Sequence, residues 1–150
     1  MENIFSKEVS AKIIQRINNL NTESPAEWGK MNVAQMLAHC NVTYEMAYDG
    51  NHPPAKGFKK FLLKAFIKPM VCNEKRYPKN SRTAPQFLVV DEKEFETEKQ
   101  RLMAYLNKTV ELGSAHFEGK ESVSFGALSS KEWNNMFYKH MDHHLTQFNV

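Results

Sequence analysis

The end of the chain carries two histidines whose spacing suits metal binding. The apolar stripe of the predicted last helix, Trp133, Met136 and Phe137, is followed on the same face by His140 and His144. Histidines four residues apart have Cβ atoms about 5 to 6 Å apart, so both rings can reach one ion. The spacing fits equally well two partly buried, hydrogen-bonded histidines near a helix C-terminus, where the helix dipole favours imidazolium.

If His140 and His144 are buried inside an apolar stripe, their ring nitrogens lack partners, and a metal ion could bind to them. Two neutral imidazoles need partners for all four ring nitrogens, and two imidazolium ions would repel each other. A third ligand would have to come from another helix, and His39 is the remaining histidine placed on a predicted helix. Taken alone, a histidine in that position is more often a buried, hydrogen-bonded residue than a ligand. His52 and His116 fall in predicted loops, and His143 points away from the pair, towards the rim of any site.

Helical periodicity predicts the elements that would position these residues. Three helix starts carry a capping box, in which a side chain and a residue three positions later satisfy free backbone N–H groups. The three boxes are Asn32 with Gln35, Asp91 with Glu94, and Ser129 with Glu132. The predicted helices run from about Ser6 to Leu20, Val33 to about Asp49, Gly57 to Lys68, Asp91 to Gly113, and Ser130 to about Phe148. Gly50, Pro69 and Gly113 are expected to end three of them. The sequence thus predicts a single all-α domain over residues 1–150, with a long loop between Asn73 and Gln86.

The short helix from Gly57 to Lys68 is amphipathic. Its apolar stripe consists of Phe58, Phe61, Leu62, Ala65 and Phe66. We expect that stripe to face the core, with the lysines of the same segment solvated. The alternative is a basic amphipathic helix that docks on an anionic membrane or on a partner.

Composition excludes several classes of function. Twenty basic and seventeen acidic residues are mixed along the chain, for a net charge of +3, so no cationic face for nucleic acid is expected. Cys40 and Cys72 are too isolated for a disulfide framework or a CxxC site, which indicates reduced thiols. The N-terminus lacks the pattern of a signal peptide, and no stretch is apolar enough to span a membrane. We therefore expect a cytoplasmic protein that does not bind membranes.

Two segments together resemble a known superfamily. WGKMNVAQMLAHC, which contains His39, and the closing KHMDHHLTQF are similar to the DinB-like, or YfiT-like, superfamily of metal-binding helical bundles. The W-G-K-M start, the loop PKNSRTAP and the H-x-x-H-H-x-x-Q-F end resemble a branch of that superfamily without an assigned function. The resemblance extends over the whole chain.

The resemblance implies a fold and a set of ligands. It implies an antiparallel four-helix bundle, often dimeric, that holds zinc, nickel or a similar divalent ion through His39, His140 and His144. Some members of the superfamily are thiol-dependent transferases or isomerases. Many of these carry H-H-R-G-Q, whereas Leu145 and Thr146 occupy the Arg-Gly positions here, which puts the use of a particular thiol cofactor in doubt.

Three imidazoles leave at least one coordination position free, as in catalytic rather than structural zinc sites. The expectation is therefore a metal-dependent enzyme acting on a small molecule, either a thiol-dependent transferase or a metal-assisted hydrolase. The alternative is a non-catalytic metal-binding stress or sensing module. Met141 follows the first histidine of the pair, so the H-E-x-x-H motif of zinc proteases is absent. Candidates for orienting the imidazoles are Gln35, Tyr44, Asp142 and Gln147.

Overall fold

The structure is a computed structural model that describes residues 1–150. The chain is mostly helical, in agreement with the predicted all-α class. The helices are α1 (Lys7–Asn18), α2 (Val33–Tyr48), α3 (Gly57–Leu62), α4 (Lys68–Cys72), α5 (Phe95–Phe117) and α6 (Ser130–Gln147). A π-helical turn at Leu63–Ile67 joins α3 to α4, and Pro85–Phe87 form a short 3-10 turn. Two strands, β1 (Glu121–Ser122) and β2 (Gly126–Ala127), pair in an antiparallel hairpin before α6.

Two of the three predicted capping boxes are confirmed. Both reciprocal hydrogen bonds form at Asn32 before α2 and at Ser129 before α6. The box predicted at Asp91 is wrong, because α5 begins four residues later. Its cap is Glu94, whose carboxylate accepts hydrogen bonds from the N–H groups of Glu96 and Thr97.

Of the three predicted helix stops, the one at Gly50 is confirmed, because α2 ends at Tyr48 and Gly50 has a φ of 66°, whereas those at Gly113 and Pro69 are wrong. Gly113 adopts a left-handed φ of 69° and a ψ of 172°, but it forms a kink inside α5, and the helix resumes as far as Phe117. Pro69 lies in the first turn of α4, where a residue without an N–H costs no helical hydrogen bond. The π-helical turn before it resets the helix, so the segment continues to Cys72.

The hydrophobic core lies between the four longest helices. The helix α2 packs against α5 and α6, and α1 also contacts both α5 and α6. Leu37, Leu106 and Phe137 are fully buried at their junction, and the rings of Tyr44 and Phe137 stack with centroids 4.8 Å apart. These contacts hold α2 beside α6, the two helices that carry the predicted metal ligands.

The two cysteines are buried and unpaired, as expected for reduced thiols. Burial raises the pKa of Cys72 to about 11.

A buried polar cluster specifies how α2 sits against α5. Asn41 is fully buried, and its Nδ2 donates to the Glu98 carboxylate at 2.8 Å. Arg101 donates to the same carboxylate at 2.8 Å and also pairs with Glu45 on α2. Sliding α2 along α5 would leave these buried groups without partners, which is costly at low local dielectric. The cluster therefore helps to set the position of His39 along α2.

The phenylalanine stripe of α3 does not face the core. Phe58, Phe61 and Phe66 are 74%, 63% and 70% exposed, so the predicted orientation is wrong. The residues of this segment that pack on the core are instead Leu63 and Val71. No helix in the chain has both the length and the apolar composition needed to cross a membrane.

Candidate metal centre

Three histidines from two helices converge at one point. His39 comes from the middle of α2, and His140 and His144 come from the last two turns of α6. Their ring centroids form a nearly equilateral triangle with sides of 4.9, 4.5 and 4.7 Å. One ring nitrogen of each lies within 4.8 Å of the others, a grouping that could hold a metal ion. The structure therefore brings together all three predicted ligands.

Each imidazole is held by a partner at its outer nitrogen, Nδ1. His39 Nδ1 lies 2.8 Å from the carbonyl oxygen of Phe87. His140 Nδ1 lies 3.0 Å from Thr43 Oγ1, and His144 Nδ1 lies 2.8 Å from Gln147 Oε1. Outer-nitrogen partners of this kind orient the histidine ligands of metal sites.

These partners decide which nitrogens carry hydrogen. A carbonyl oxygen can only accept, so Nδ1 of His39 is the protonated nitrogen and its Nε2 holds a lone pair. Gln147 donates through Nε2 to the carbonyl oxygen of Trp28, which turns Oε1 towards His144. His144 Nδ1 is therefore the donor, and its Nε2 is also free to bind a metal.

The inner ring nitrogens of two of the histidines are close enough to share a hydrogen atom or a cation. His39 Nε2 and His140 Nε2 are 2.9 Å apart. With the lone pair of His39 pointing inwards, this distance requires either a hydrogen on His140 Nε2 or a cation shared by both rings. If the two rings share a cation, His140 Nδ1 donates to Thr43 Oγ1, and all three imidazoles direct a lone pair towards the cation.

The environment favours the neutral, metal-binding form of the three imidazoles. His39 and His144 are 5% and 7% exposed. Desolvation lowers the pKa of His39, and it lowers the pKa of His144 to about 3, with the neighbouring charge of His39 adding to the effect. Desolvation and the proximity of the other histidines also hold the pKa of His140 well below its usual value. Neutral imidazole is the form that binds metals.

The donor set fits a divalent transition metal. Bonds of about 2.0 to 2.1 Å in a tetrahedral site place ligand nitrogens about 3.3 Å apart. The observed separations, from 2.9 Å up to at most 4.8 Å, bracket this value, so small ring rotations would complete the site. Imidazole nitrogens suit zinc, nickel, copper and iron, whereas calcium and magnesium prefer oxygen.

An aromatic ring covers one side of the histidine cluster. The ring of Phe87, from the loop before α5, packs on His39 and His140 with centroids 5.5 and 6.0 Å away. His140 is half-buried as a whole residue, whereas its imidazole ring is deeply buried among the other two histidines.

His143 lies outside the cluster, as predicted for a rim residue. Its ring sits between Trp28 and Tyr77, with both centroids 5.7 Å away. The three side chains line a small cavity of about 120 Å³ next to the metal centre. The ring of His143 is 5.0 Å from that of His144, which it helps to pack.

Only one of the four candidates for orienting the imidazoles does so. Gln147 bonds His144, whereas Gln35 completes the cap of α2 and donates to the carbonyl oxygen of Asp91. Tyr44 stacks in the core, and Asp142 pairs with Arg16 at 2.9 Å.

Two orienting groups escaped the sequence analysis. Thr43 follows His39 by four residues, a spacing that could have indicated a neighbour on the same face of α2. Phe87 contributes a backbone carbonyl from a loop, and no side-chain pattern reports such a group. The histidines in predicted loops stay apart from the site: His52 lies near Glu45, and His116 is exposed near the end of α5.

Comparison with known proteins identifies the family of the chain and assigns no reaction to it. No curated protein and no solved structure matches the chain significantly. One family model matches residues 6–150, a range that includes His39, His140 and His144. The chain therefore belongs to the DUF1569 family, described as a protein of unknown function.

Proposed function

We propose that this protein is a metal-dependent enzyme whose single divalent ion, zinc or nickel, is bound by His39, His140 and His144. One observation carries the proposal. Three imidazoles point their inner nitrogens at one centre while a separate partner holds the outer nitrogen of each. A hydrogen on His140 Nε2 would account for its 2.9 Å distance to His39 Nε2, but it would leave the inner lone pair of His144 without a hydrogen-bond partner in the chain, whereas one ion would bind all three.

We also propose that α1, α2, α5 and α6 form an antiparallel four-helix bundle of the DinB-like type. In support, α2 and α6 both contact α5, and the ligands come from the second long helix and the last one. The sequence motifs around His39 and at the C-terminus support the same assignment. A homodimer and a cytoplasmic location belong to this proposal.

The reaction we propose is thiol transfer or metal-assisted hydrolysis on a small molecule. A divalent ion bound there would supply a Lewis acid and would lower the pKa of a bound water or thiol towards neutrality. The protein holds the imidazoles in one orientation through Phe87, Thr43 and Gln147. The Phe87 ring covers one side of the cluster, and in this proposal a substrate would approach from the side of His140, the one residue of the three that is not fully buried.

A non-catalytic metal-binding module is the second candidate. It is favoured by the depth of the cluster, since His39 and His144 are 5% and 7% exposed, and by the small size of the neighbouring cavity, about 120 Å³. Such a module would bind the ion without turning over a substrate.

A comparison of metal-loaded and metal-free protein tests the catalytic proposal. We would assay transfer of several low-molecular-weight thiols to an activated electrophile, and hydrolysis of activated esters. The proposal predicts turnover that requires the ion, is abolished by His39→Ala and survives His116→Ala, which removes an exposed histidine outside the site. Stoichiometric metal without turnover in either assay would instead support the binding module.

A further inference from the structure

The outer face of the α3–α4 segment is an apolar surface that nothing in the chain covers. Nine large hydrophobic side chains are exposed in the whole protein, and six of them lie between Phe58 and Met70. The six are Phe58, Phe61, Leu62, Phe66, Ile67 and Met70, and they are called the α3 patch below. Exposed apolar residues clustered in this way mark interaction surfaces, whereas single ones do not.

The segment is held firmly with the α3 patch outwards. On its inner side, Lys139 from α6 donates to the carbonyl oxygens of Met70 and Asn73, both at 2.8 Å. Asn135 donates to the Cys72 carbonyl at 2.9 Å, and Lys68 pairs with Glu132 at 2.8 Å. Rotating the α3 patch inwards would break these hydrogen bonds and this ion pair, so the fold keeps the patch exposed.

The charged side chains of the segment that carries the α3 patch are all basic. Between Asp49 and Glu74 the chain contains five lysines and no acidic residue. Of these, Lys56, Lys59 and Lys64 are exposed and lie within ion-pair distance of no carboxylate. The uncompensated positive charge therefore surrounds the exposed phenylalanines.

The exposed phenylalanines and the unpaired lysines together indicate what kind of surface could cover the α3 patch. A second copy of the chain, packed face to face, would bring two sets of lysines together at a symmetric interface, which is unfavourable. An anionic membrane offers both negative headgroups for the lysines and an apolar layer for the phenylalanines. We propose that the α3 patch docks the protein peripherally on an anionic lipid surface, with Phe58, Phe61 and Phe66 entering the headgroup boundary.

Co-sedimentation of the full chain with lipid vesicles tests this docking. We expect binding to phosphatidylglycerol vesicles, little binding to phosphatidylcholine vesicles, and release at about 0.5 M salt, where charges are screened beyond a few ångström. The Phe58→Ser, Phe66→Ser double variant should stay folded, because both side chains are exposed, and should lose binding.

A matched pair of charge variants distinguishes the effect of the lysines near the α3 patch from the effect of net charge. The Lys59→Glu, Lys64→Glu variant and the Lys7→Glu, Lys75→Glu variant each change the net charge from +3 to −1, since each substitution removes two units. Each lysine at the surface contributes about fivefold in affinity, so the first variant should bind at least about twentyfold more weakly. The second changes exposed lysines outside the patch and should lose much less.

Three results would overturn the proposal. These are failure of the wild type to bind phosphatidylglycerol vesicles at low salt, equal losses in the two charge variants, and a dimer in sedimentation velocity that Phe58→Ser, Phe66→Ser dissociates. The last would make the α3 patch an interface between copies of the chain.

Discussion

At the scale of single residues, the hydrogen bonds at the outer nitrogens do as much to define the centre as the three ligands. His140 depends on the Thr43 hydroxyl, 3.0 Å away, for its orientation. Replacing one hydrogen-bond partner of a metal-binding histidine weakens metal affinity about 10- to 100-fold.

We therefore predict that Thr43→Val, which keeps the side-chain shape but removes the hydroxyl, lowers zinc affinity by at least about tenfold. Thr43→Ser, which keeps the hydroxyl, should stay close to wild type. Competition with a chromogenic chelator would measure both affinities. Equal affinities for the Val variant and the wild type would show that His140 does not rely on this bond.

The three clustered histidines could be predicted from the sequence better than the groups that orient them. His140 and His144 could be predicted because two imidazoles interrupt an apolar stripe. His39 could be predicted because it lies on the second predicted helix, within the segment WGKMNVAQMLAHC. Gln147 was one of four candidates. The Phe87 carbonyl could not be predicted, because its position depends on how the loop before α5 packs against the middle of α2.

At the scale of elements, helix starts were easier to predict than helix ends. A capping box satisfies backbone groups locally, so Asn32 and Ser129 begin α2 and α6 whatever surrounds them. Gly113 and Pro69 do not end a helical segment, because the chain continues through a kink at Gly113 and through a π-helical turn before Pro69. The outward direction of the α3 patch depends on Lys139 and Asn135, which are distant in sequence.

The cap of α6 supplies a quantitative prediction at this scale. Ser129→Ala removes the side chain that accepts from the Glu132 N–H, and should lower the free energy of unfolding by about 1 kcal/mol. The control is Ser130→Ala, which keeps the backbone N–H that donates to Glu118 and leaves the Ser129 cap in place. Urea denaturation would compare the two, and an equal loss in both would argue against the capping role.

At the scale of the whole molecule, the histidine cluster lies between the second long helix and the last one. An ion bound by His39, His140 and His144 would cross-link α2 and α6, and it can bind in this geometry only when the chain is folded. Binding to the folded state alone stabilises a protein by about 2.7 kcal/mol when the free ligand is 100 times its Kd.

Removing the ion should therefore lower Tm. For a domain of this size, we expect a chelator to reduce the Tm of the metal-loaded protein by about 5 to 10 °C. Differential scanning calorimetry would measure the change, with His140→Ala as the variant whose Tm should not respond to the chelator. An unchanged Tm in the wild type after complete loss of metal would contradict the cross-linking role.

The most direct test of the metal centre is elemental analysis of protein purified without a histidine tag. We predict about one divalent transition-metal ion per chain in the wild type, its loss in both His140→Ala and His144→Ala, and its retention in His143→Ala, which changes the neighbouring histidine outside the cluster. A wild type that binds no ion, even after incubation with zinc or nickel, would contradict the account, as would variants at His140 and His144 that keep the metal.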